Sequence, residues 1–74
     1  MSSKYPLLPP RRVIAVLNKF GFIKVGQKGS HVKFKSIYTN KVCILPIHDE
    51  VARGTLRNVL EQADITLEDF LNQL

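Results

Sequence analysis

The sequence predicts an α+β fold in which helices cover one face of a small three-stranded antiparallel sheet. Three observations carry that prediction. Apolar residues recur with helical spacing near the start, alternate through the middle, and return to helical spacing towards the end. The alternating stretch is divided by Gly26, Gly29, Ser36 and Asn40, residue types that favour turns. Finally, 74 residues, 45% of them apolar, suffice for one domain with a modest core, so 1–74 is expected to be a single unit in which residues 1–8 form a flexible N-terminal segment.

The first helix opens at Pro9 and Pro10, because N–H groups in a first turn have no intrahelical partner to lose. Val13, Val16, Leu17 and Phe20 then follow at i, i+3, i+4 and i+7. Gly21 directly after the last apolar residue, with Lys19 in the final turn, supplies the stop. Strands are expected from Phe22 to Val25, His31 to Lys35 and Lys41 to Leu45. Leu56, Val59, Leu60 and Ala63 share one face of a second helix that begins somewhere between Asp49 and Thr55. Thr66 is placed to cap a short last helix, with Asp69 at capping-box spacing and Phe70 and Leu71 as its apolar contacts.

Composition excludes several classes of protein. A single Cys43 cannot close a disulfide within the chain, and the reducing cytoplasm is the compartment that fits. The available ligand types, His31, Cys43, His48 and Asp49, lack the close paired spacing of zinc sites, so no metal and no other cofactor is expected. The longest apolar run, Val42 to Ile47, is interrupted by Pro46 and falls far short of the roughly 18 residues a membrane helix needs. Met1 to Arg12 holds three prolines and two adjacent arginines without an apolar centre, and does not read as a signal peptide.

The net charge of +5 conceals a sharper division. Residues 1–48 contain nine basic side chains and no acidic one, whereas residues 49–74 hold all six acids beside Arg53 and Arg57. A block of like charge repels itself, and that cost is best understood if an anion binds there, nucleic acid above all. The bland alternative is a solvated basic surface.

Alternation in the middle strand decides what the open face of the sheet carries. If Val32 and Phe34 point into the core, His31, Lys33 and Lys35 point outward together. A slip of one residue would bury two lysines, so the register is well specified. Lys24 and Lys41 are expected on the same face or its rim, and Lys28 in the preceding turn, which sets one histidine in a field of lysines.

That arrangement suits metal-free cleavage of RNA, which needs a proton removed from a 2′-hydroxyl, charge stabilised on the phosphorus, and a proton given to the leaving oxygen. Imidazole populates both protonation states near neutrality, and lysines hold phosphate. Gly29-Ser30, just before His31, would let a phosphate approach the backbone, although Gly-Ser is also an ordinary turn.

These residues resemble the HicA toxins, small mRNA interferases of bacterial type II toxin–antitoxin pairs. The resemblance runs from the first helix to Leu71. It rests on Leu17 with Phe20-Gly21-Phe22, on Gly29-Ser30-His31, on Pro46 and His48, and on Gly54-Thr55-Leu56-Arg57 continuing through Leu60, Gln62 and Ala63. It implies a double-stranded-RNA-binding-domain-like fold (α-β-β-β-α) and a cytoplasmic endoribonuclease in which the histidine matching His31 is required for cleavage. It also implies a cognate HicB antitoxin that covers the site. Lys24, Lys28, Ser30, Lys33, Lys35 and Lys41 are the expected RNA contacts, RNA is the expected substrate, and the free toxin is expected to be monomeric. One departure is Asp64, where the family pattern usually has glycine after the Gln-Ala pair; it bears on a helix end rather than on chemistry.

The second proton carrier stays open among Tyr38, Ser30 and Lys33, with a two-histidine mechanism through His48 as a further alternative. His48 is expected to anchor the turn into the second helix by hydrogen bonding, and Cys43 to be a small buried hydrophobe. Gly54 either allows close packing of the second helix or marks its start. Two rival functions use the same features. A non-catalytic RNA-binding module shares the basic face, but a chain this small offers limited surface for a duplex footprint of about 16 base pairs. A DNA-binding helix-turn-helix is opposed by charge, because its recognition helix would carry Glu68 and Asp69 and no basic residue.

Overall fold

A computed structural model describes residues 4–74, in the order α1 (Pro10–Lys19), β1 (Phe22–Lys28), β2 (His31–Ser36), β3 (Val42–Pro46), α2 (Arg53–Ala63) and α3 (Leu67–Asn72). The three strands form one antiparallel sheet in sequence order, with α1 packed on β1 and α2 on β3. This is the expected α+β arrangement of helix, three strands, helix and short C-terminal helix. Of the segment 1–8, residues 1–3 lie outside the described residues. Leu8 forms a bridge with Val51, and Tyr5 and Leu8 pack against the core.

Each helix is built as its sequence requires. Pro10 occupies the first turn of α1, Val13, Val16 and Leu17 are buried, and Gly21 follows with φ of 86°. The second helix starts at Arg53, so Gly54 lies in its first turn; a Cβ added there would meet nothing, and close packing within the chain does not require glycine. Leu56, Val59, Leu60 and Ala63 are buried. Thr66 caps α3 by accepting from the Asp69 N–H at 3.0 Å. Phe70 is fully enclosed and Leu67 packs against the core, but Leu71 is exposed, contrary to expectation, because it lies on the flank of the face that those two form.

The core lies between the helices and one face of the sheet, where Phe22, Val32, Phe34, Cys43 and Leu45 are buried. Side chains of this size stabilise by about 1.5–3 kcal/mol each when fully buried. Buried Ser36 ends β2, and its hydroxyl accepts from the N–H groups of Tyr38 and Thr39, both at 3.1 Å. With Asn40 at φ of 65°, this closes the β2–β3 hairpin.

The two edges of the sheet differ. In β3 the N–H of Ile44 points away from β2 and donates to Gln62 Oε1 at 2.8 Å. By the period of two, Pro46 is the next position facing that edge, and proline has no N–H. The outer edge of β3 is therefore largely closed to a further strand, whereas β1 forms the other edge with α1 beneath it rather than beside another strand.

Candidate functional site

β1 contains an irregularity that shapes the open face. Its register with β2 runs Phe22↔Ser36, Ile23↔Lys35 and Lys24↔Phe34, then jumps to Gly26↔Lys33, Gln27↔Val32 and Lys28↔His31. Val25 is the extra residue of a β-bulge. Without it, Gly26 and Lys28 would share the core-facing side with Phe22 and Lys24. With it, both turn to the open face. The expected strand ended at Val25 because the bulge breaks the alternation; the real strand continues to Lys28, which stands within β1 rather than in a turn.

Three rows result on the open face. Lys28, His31 and Pro46 form the first, Gly26, Lys33 and Ile44 the second, and Ile23, Lys35 and Val42 the third. His31, Lys33 and Lys35 are exposed and alternate with buried Val32, Phe34 and Ser36, as the sequence predicts. Gly26 carries no side chain opposite Lys33. A hollow of about 340 Å³ opens there, lined by Gly26, Gln27, Lys28, His31, Lys33 and Ile44. The turn that delivers His31 is Gly29-Ser30, with Gly29 at φ of 59°, as a two-residue hairpin demands of its first position. It is pinned from both sides: the Gln27 side-chain amide donates to Gly29 O at 3.0 Å, and the Ile47 N–H donates to Ser30 O at 2.7 Å.

The structure thus brings Lys28, Ser30, His31 and Lys33 together, with Lys35 one row further along. Two expected members stand elsewhere. Lys24 pairs with Phe34 and so faces the helix side, where its ammonium donates to Gln27 Oε1 at 2.9 Å beside a hollow also lined by Ile14 and Asn18. Lys41 precedes β3, and its carbonyl accepts from the Ser36 N–H, which places it in Ser36's row rather than Lys35's. The physical reason is the same for both: alternation assigns them the parity of buried partners.

Three other readings are settled by position. His48 is exposed, and no hydrogen bond among the described residues uses its ring, so it does not anchor the turn as expected; backbone bonds from Ile47 to Ser30 and from Val51 to Leu8 do so. Tyr38 lies beyond Ser36, while His31 begins β2; five residues of strand put these ends about 16 Å apart, far outside the roughly 3 Å reach of proton transfer at one phosphate. Ser30 and Lys33 remain as neighbours of His31. Cys43 is fully buried in β3, and burial pushes its thiol up to about 11, which removes nucleophilic thiolate.

Chemically, the first two rows offer an imidazole flanked by ammonium groups around a shallow hollow, a setting suited to an anion. Among the described residues no group of three His, Cys, Asp or Glu side chains is placed to hold a metal ion, and no helix is long and apolar enough to cross a membrane. Compared with known protein families, residues 10–65 match the HicA toxin of bacterial toxin–antitoxin systems. The chain belongs to the HicA toxin family. The match begins at the first residue of α1 and ends just after α2, so that α3 lies beyond the matched residues. It contains the hairpin with His31, the bulge of β1, and the Pro46 and Gln62 pair on β3. Membership of the HicA family implies an antitoxin partner. A comparison with curated proteins gives no match.

Proposed function

We propose that this HicA-family protein is a metal-independent endoribonuclease of the cytoplasm, an mRNA interferase held in check by a HicB-type antitoxin. The observation that carries the reading is the row and column geometry around His31: an exposed imidazole with Lys28 beside it and Lys33 and Lys35 along its strand. In the proposed reaction a base takes the proton of the RNA 2′-hydroxyl, and O2′ attacks phosphorus. The P–O5′ bond breaks, and the 5′-oxygen leaves with a proton. His31 serves one of these proton transfers and Lys28 and Lys33 offset the charge on the phosphoryl oxygens. Ser30 or Lys33 supplies the partner step, being the candidates adjacent to His31. Products carry a 2′,3′-cyclic phosphate and a 5′-hydroxyl.

The test is incubation of purified protein with naked RNA in EDTA, followed by analysis of product ends. Cyclic-phosphate ends are expected, and activity that vanishes on chelation would overturn the proposal. His31→Ala should lower the rate by about 10²- to 10⁴-fold. Its stability should change by no more than about 0.5 kcal/mol, since the side chain is exposed. His48→Ala is the contrast: with no hydrogen bond to lose among the described residues, it should alter neither folding nor cleavage. Cleavage that survives His31→Ala in a folded protein sinks the role given to His31, and an unfolded His31→Ala beside a folded, inactive His48→Ala reverses the roles of the two histidines.

A further inference from the structure

Exposed apolar side chains gather at the end of the open face remote from His31. Ile23 and Val25 are each 49% exposed, Ile37 60% and Tyr38 77%, and Val42 stands at the end of their row. Ile23, Val25, Lys35, Ser36, Ile37 and Asn40 line a hollow of about 270 Å³. A cluster of this kind on a small chain marks a contact surface rather than scattered exposure.

Gly21 gives the cluster its form. It is buried, with φ of 86°, and its carbonyl accepts from the Ile37 N–H at 2.9 Å. A Cβ added to Gly21 would overlap the Tyr38 ring and lie 3.3 Å from Ile37 Cγ1. The absent side chain therefore lets the ring rest against the main chain of residue 21, while most of its surface stays open to solvent. An aromatic ring backed by protein and open on its outer side is a stacking platform.

We propose that Tyr38, with the Ile23–Val25–Ile37 hollow and Lys35, is a nucleobase subsite for a single RNA strand running along β2 from the phosphate at His31. This inference rests on the reading given under Proposed function and adds where the flanking strand lies. Charge complementarity selects the occupant: the hollow continues the His31–Lys33–Lys35 column, and no acidic residue occurs anywhere in residues 1–48. Side chains on one face of β2 recur about every 6.6 Å, a spacing at which an extended strand can lay successive phosphates on successive lysines. Stacking tolerates any base, so Tyr38 contributes affinity and position without setting a sequence.

The experiment measures binding of a 2′-O-methylated hexanucleotide, whose capped nucleophile prevents cleavage, to wild type, Tyr38→Ala and Tyr38→Phe. Tyr38→Ala should weaken binding by about 5- to 150-fold, and Tyr38→Phe should retain it, because the ring and not the hydroxyl stacks. In a series lacking each base in turn, one abasic position should reproduce the Tyr38→Ala loss in wild type and add nothing to it in the variant. Wild-type binding that is indifferent to Tyr38→Ala overturns the subsite alone. So does equal loss in Tyr38→Phe, which would make the hydroxyl the contact. A Tyr38→Ala protein that keeps RNA affinity but loses an antitoxin overturns it in favour of a protein-docking surface. Folded wild type that binds no oligonucleotide defeats the underlying endoribonuclease reading as well.

Discussion

Cys43 sits in β3 with its side chain fully enclosed, and burial raises its thiol from 9.0 to about 11. Below pH 9 the thiol is protonated in folded and unfolded chains alike, and the linkage is silent. Between pH 9 and 11 the unfolded chain releases this proton while the folded one keeps it, so stability falls as pH rises through that window. A shift of this size corresponds to roughly 2–3 kcal/mol. Urea unfolding at pH 8 and pH 11 should show a smaller alkaline loss in Cys43→Ala than in wild type, by about that amount; equal losses would mean that other groups carry the whole effect. The burial of Cys43 was legible because its neighbours in the third strand are apolar. The isolation of His48 was not, since a residue after Pro46 gives no alternation from which to read its partners.

Among the elements, the end of α2 tests the one departure from the family pattern. Asp64 adopts the left-handed conformation, at φ of 60° and ψ of 41°, and the Ile65 N–H closes back on Leu60 O at 2.9 Å in a Schellman-type ending. Glycine enters that region without the steric cost an L side chain meets, and the Asp64 carboxylate also opposes the negative end of the helix dipole. Asp64→Gly should therefore raise stability by roughly 0.5–1 kcal/mol, visible as a higher melting temperature with cleavage unchanged. A lower melting temperature would reveal a favourable contact of the carboxylate. This helix end was legible through the family resemblance, and the first helix, the central strand and the cap at Thr66 from residue type and spacing. The bulge in β1 was not. Val25 and Gly26 read as a strand end because one inserted residue erases the period of two, and the change of face that brings Lys28 beside His31 exists only once β1 is paired with β2.

Across the whole molecule, charge and topology divide the surface in the same way. The helix-three strands-helix order follows from periodicity, and the basic column on the open face follows from the register of β2; both were readable. That Lys24 and Lys41 stay out of that column was readable too, since each stands two residues from a buried strand position, Phe22 and Cys43. Four of the six acids, Glu61, Asp64, Glu68 and Asp69, belong to α2, α3 and the turn between them, away from the basic strand. If phosphates lie along β2, RNA affinity should fall steeply with salt, and replacing Lys28, Lys33 or Lys35 with Ala should each reduce the logarithmic salt slope by about 0.7. Lys24→Ala, on the helix side, should leave the slope unchanged. A slope altered by Lys24 and by none of the other three would move the strand to the opposite side of the sheet. The unequal edges carry a different consequence. Gln62 and Pro46 obstruct strand addition at β3, so β1 is the more open edge, and two copies joined there present only obstructed ends. Edge-to-edge polymerisation needs two reactive ends per molecule; with β3 obstructed by a single glutamine and a single imino acid, each copy offers one, and growth by strand addition stops at a pair.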